Sequence, residues 1–61
     1  MNDQDIIKQA YADCVKKLFG VFWEATIAAG EDQGAHNAAK QNFSNGLTLA
    51  RSVRDRALAV V

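Results

Sequence analysis

The feature that most constrains this chain is a pair of apolar seams, each stepping by fours and threes, on either side of one glycine. The first runs Ile7, Tyr11, Cys14, Leu18, Val21, Ala25, Ala28. Such spacing keeps side chains on one side of an α-helix and is the pattern of coiled-coil seams. A second row, Val15, Phe19, Phe22, Thr26 and Ala29, lies beside it, so the apolar face is roughly 180° wide. Gln9, Asp13, Lys16 and Gly20 fall opposite. The second seam runs Ala35, Ala39, Phe43, Gly46, Ala50, Val53, Ala57, Val60, widened by Leu47 and Val61. With no proline and no stretch of strict apolar–polar alternation, the sequence predicts an all-α fold.

Boundaries follow from capping chemistry. Asn2 or Asp3 can cap the first helix, and acidic residues in its first turn suit the helix dipole. Gly30 is the expected stop, and Asp32 the expected cap of the next helix. The prediction is a single domain over residues 1–61, with helix 1 at about 3–29, a loop at about 30–32 and helix 2 at about 33–60. A loop this short forces the helices antiparallel. Facing the seams across the loop pairs Ala28 with His36, Val21 with Phe43, Leu18 with Gly46, Cys14 with Ala50 and Ile7 with Ala57, large against small along much of the length. The alternative is a three-helix unit, because Ser44-Asn45-Gly46 is a good turn signal. Against a break, the seam keeps its phase across Gly46.

Size then argues for a partner. A chain of 61 residues is one domain at most and buries only about 60% of its unfolded surface. Small domains are commonly held together by disulfides, a metal or association. Cys14 is the single cysteine and His36 the single histidine, so neither an internal disulfide nor a Cys/His zinc site can form within one chain. Association remains. Helix 1 also carries more bulk than an Ala-rich helix 2 can cover. Tyr11, Val15, Leu18, Phe19, Phe22, Trp23 and Ile27 are the candidate interface residues, with Trp23 and Ile27 pointing off the main seam. The expected closure is a homodimeric four-helix bundle, with another protein as the alternative partner.

Candidate chemistry is sparse. His36 could be a ligand or a base, but no second histidine and no Glu-x-x-His spacing supports it; Asp32, four residues earlier, can simply pair with it or leave it solvated. An active site would have to be assembled across two copies from His36 and Glu24 or Glu31. Cys14 on the seam reads as a small buried hydrophobe. No catalytic set, cofactor or metal site is expected, and the chain reads as a non-enzymatic interaction module or small regulatory or adaptor subunit. Lys8, Lys16 and Lys17 on helix 1 and Arg51, Arg54 and Arg56 on helix 2 gather at the end away from the loop, a candidate nucleic-acid face, although the net charge of +0 argues against a general coat for nucleic acid. The acidic N-terminus does not read as a secretory leader. The apolar run Leu18–Ala29 is too short to span a bilayer and carries Glu24. The lone cysteine suits a cytoplasmic setting.

In length, helix count and alternation of large and small residues along facing seams, the chain resembles the Rop family of plasmid-copy-number regulators. That resemblance implies a hairpin that dimerises and binds paired RNA hairpins through its basic residues. It carries over no individual RNA-contacting residue.

Overall fold

The computed structural model describes residues 2–61 and consists of two helices, α1 (Asp3–Ala29) and α2 (Gln33–Val60), folded back on one another. Asn2 opens α1. Its backbone is extended, and its Oδ1 accepts the Asp5 amide at 2.9 Å, satisfying one of the donors a helix start leaves free. Gly30 closes α1 with φ 54° and ψ −114°, a conformation that side chains disfavour. Its amide donates to the Ile27 carbonyl at 3.3 Å, and the Asp32 amide donates to the Ala29 carbonyl at 2.8 Å. Asp32 then caps α2: its Oδ1 accepts the Ala35 amide at 3.1 Å. Of the two arrangements open to Asp32, pairing with the His36 ring does not form. The carboxylate caps the backbone, and the ring instead lies 2.6 Å, Nε2 to O, from the Gly30 carbonyl. A carbonyl only accepts, so Nε2 carries the proton and ties the loop to the first turn of α2.

α2 runs unbroken through Ser44-Asn45-Gly46, which excludes the three-helix alternative. The local turn signal is absorbed within the helix. Gln41 donates its amide to Asn45 Oδ1 at 3.0 Å, and the Thr48 hydroxyl donates to the Ser44 carbonyl at 3.1 Å. Gly46 serves packing rather than turning. A Cβ placed on it would sit 2.7 Å from Leu18 Cδ2, so the bare backbone is what lets Leu18 lie against α2.

That contact fixes the register as the seams predict at Leu18 and Gly46, but three seam residues of α1 do not face α2. Phe43 stacks on Phe22, not on Val21, with ring centroids 4.9 Å apart and planes 17° apart. Val21 is 68% exposed, and Cys14 and Ala28 are exposed too. The inward row of α1 is Ile7, Tyr11, Val15, Leu18, Phe22, Ala25 and Ala29, drawn from both of the rows read in the sequence. The physical reason is bulk. Turning the helix by a fraction of a step brings the large Phe22 and Val15 against α2, a better exchange than burying Val21 and Cys14. Near the open end the Tyr11 ring lies under the Arg54 guanidinium, 4.5 Å from carbon to centroid.

Candidate interaction surface

The hairpin has almost no interior. Among the described residues only Ala29 (9% exposed) and Ala39 (5%) are buried, both in the loop half, and no large side chain is fully buried. The Cα extents are 45 × 17 × 6 Å, one helix layer thick. The radius of gyration is 14.3 Å, where a compact chain of this length would have about 10.5 Å. The accessible surface is 4629 Å², while a folded monomer of this mass is expected to expose about 3,900 Å². The excess of roughly 700 Å² is close to the roughly 800 Å² that each partner contributes to a standard protein interface.

Apart from Ile6 and Val61 at the open end, the uncovered apolar surface is in two parts, separable at about 100° per residue around each axis. One face of the layer carries Cys14 and Val21 from α1 and Leu49 and Val53 from α2. Val21, Leu49 and Val53 are more than half exposed. An open groove of about 460 Å³ runs between the helices here, walled by Ile7, Cys14 and Leu18 on one side and Leu49, Val53 and Ala57 on the other. A smaller depression of about 100 Å³, lined by Leu18, Val21, Ala25 and Asn42, continues it toward the loop. Cys14, Val21 and Ala28 recur at seven-residue intervals, as do Gly46, Val53 and Val60, so both helices present heptad rows to this face.

The second part is an edge strip on α1 alone. Phe19 and Trp23 pack against each other with centroids 6.4 Å apart, and Ile27 follows one turn later. Of the interface candidates read in the sequence, Phe19, Trp23 and Ile27 lie on this exposed strip, whereas Tyr11, Val15, Leu18 and Phe22 are half-buried between the helices. Leu49 and the exposed positions of Val21 and Val53 are not anticipated. The seven-residue spacing of the rows was the available signal, because a strict heptad seam points toward the axis of a whole bundle rather than toward one neighbouring helix.

The basic residues share an end of the hairpin but not a face. Lys17 and Arg56 flank the groove face, Arg54 lines the groove beside Tyr11, Lys8 lies on the reverse, and Lys16 and Arg51 point away from the partner helix. Arg54 is engaged twice, with the Tyr11 ring and through Nε to Asp55 Oδ1 at 3.0 Å. Lys16 approaches Asp13 at 4.0 Å on a well-exposed surface, a pair that contributes little to stability. Cys14, read as buried, is exposed on the rim of the groove, because the inward turn of Val15 rotates it outward. His36 is occupied with the loop carbonyl. Among the described residues no cluster of three or more His, Cys, Asp or Glu side chains is placed to hold a metal, and no helix is long and apolar enough to cross a membrane. Comparison with protein families, with curated proteins and with solved structures finds no match for this chain.

Proposed function

We propose that this chain is a non-enzymatic interaction protein, a small adaptor or regulatory subunit, that works as a homodimer of hairpins closed into a four-helix bundle. The observation that carries the reading is the missing interior: a hairpin in which, among the described residues, only Ala29 and Ala39 are buried lacks the burial that offsets the entropy of ordering the chain. A single helix layer with an uncovered apolar face is half of a two-layer domain, and a second layer of the same kind completes it.

The test is light scattering together with far-ultraviolet circular dichroism across a dilution series. The expected result is a helical species of twice the 6.6 kDa chain mass that loses mass and helicity together on dilution. A fully helical species that keeps the mass of one chain at micromolar concentration would remove the reading.

A further inference from the structure

We infer that the second copy docks on the groove face, covering Cys14, Val21, Leu49 and Val53, and leaves Phe19, Trp23 and Ile27 on the outside of the assembly. This rests on the homodimeric reading above and specifies its surface.

Three observations select that face over the α1 edge. Both helices contribute to it, and the groove between them is open space that side chains from a facing helix pair would fill as knobs. The edge strip is one helix wide. Area also favours the groove face. The roughly 700 Å² by which the hairpin exceeds a compact monomer of its mass calls for an interface running the length of the layer, not for three side chains on one helix.

Charge then favours a second copy as the occupant. The ionisable side chains that line the groove are Tyr11, Cys14 and Arg54, the last paired with Asp55, and the margins of the face hold Asp3, Lys17 and Glu24 on α1 and Arg56 on α2, with the two signs balanced. The whole chain has a net charge of +0, so no net charge repulsion opposes the meeting of two copies. A partner selected by charge would call for a margin of one sign. A two-fold pairing brings the heptad rows of one layer onto the same rows of the other, the self-complementary contact that closed dimers use.

The experiment compares dissociation constants, measured by light scattering and sedimentation on dilution, for the full chain and for Val21→Asp, Leu49→Asp and Trp23→Asp. All three positions are more than half exposed in the hairpin, so none is needed to hold α1 against α2. Burying an unpaired carboxylate at the dimer contact should weaken association by about a hundredfold or more for Val21→Asp and Leu49→Asp, and leave Trp23→Asp within a few-fold of the unmodified chain. Iodide quenching of Trp23 in the unmodified dimer is a second readout that needs no variant to fold. Quenching comparable to that of the urea-unfolded chain is expected. Protection of Trp23, a loss of association confined to Trp23→Asp, or indifference to both groove-face substitutions would overturn this choice of face while leaving the homodimer standing. A monomeric unmodified chain would remove the homodimer itself, and this surface with it.

Discussion

Leu18 lies over Gly46 so closely that a methyl group added to the glycine would come within 2.7 Å of Leu18 Cδ2. Two effects oppose each other there. Alanine is favoured over glycine inside a helix by about 1 kcal/mol, whereas overfilling a packed contact costs about 1–3 kcal/mol. Gly46→Ala alone should therefore be neutral to destabilising by about 2 kcal/mol, and Gly46→Leu clearly worse. In a Leu18→Ala background the obstruction is gone, and Gly46→Ala should become stabilising by about 1 kcal/mol. Urea unfolding of the four chains in this cycle, at one protein concentration, measures the coupling. Additivity within about 0.5 kcal/mol would mean that Leu18 does not pack on Gly46.

The same contact marks how far the sequence could be read. Helix ends were legible because Asn2, Gly30 and Asp32 act through their own backbone neighbours, and such effects do not depend on the fold. The height at which Leu18 meets Gly46 was legible because the loop is short and helical rise is constant. The rotation of α1 was not. Apolar residues cover about half of its circumference, so the pattern fits a range of inward directions, and tertiary contacts such as the packing of Phe22 on Phe43 select one. Ser44-Asn45-Gly46 misleads for a related reason: the residues that permit a turn also permit a close helix approach, and the choice between them is tertiary. The groove face was hidden behind the assumption that a seam faces its own hairpin partner. Val21 and Val53 are in the seam and still exposed.

The glycines separate by backbone geometry. Gly30 holds φ 54° with ψ −114°, where an added Cβ is strained even though nothing lies within 4 Å of it. Gly30→Ala should cost about 1–3 kcal/mol. Gly20 sits mid-helix with ordinary backbone and equally empty space, so Gly20→Ala should stabilise by about 1 kcal/mol. Thermal unfolding of the two variants should therefore move in opposite directions. A gain for Gly30→Ala would mean that the loop adopts another turn.

The loop also depends on two side-chain bonds that different substitutions isolate. Asp32→Ala removes the cap on the Ala35 amide and should cost about 1 kcal/mol, with Asp32→Asn retaining most of it. His36→Ala removes the donor to the Gly30 carbonyl and should cost about 0.5–1.5 kcal/mol. The two bonds serve opposite ends of the turn, so hydrogen exchange should localise the first loss to amides at the start of α2 and the second to the end of α1. Uniform loss of protection in both variants would show that the turn opens as one unit.

Phe22 and Phe43 form the one aromatic stack between α1 and α2 among the described residues, and both are half-buried. Their contribution divides into area, which any large apolar side chain supplies, and ring geometry, which only an aromatic pair supplies. Phe43→Leu and Phe22→Leu keep most of the area and should each cost about 1 kcal/mol, while the double variant should cost less than their sum by about 0.5–1.5 kcal/mol. If hairpins pair as proposed, Phe43→Ala should unfold at a midpoint that rises with protein concentration, because docking of the second copy supplies stability the truncated core lacks. A midpoint independent of concentration over a hundredfold range would place the whole stability of the chain inside one hairpin, and the packing of Phe22 on Phe43 would then have to supply far more of it than two half-buried rings can.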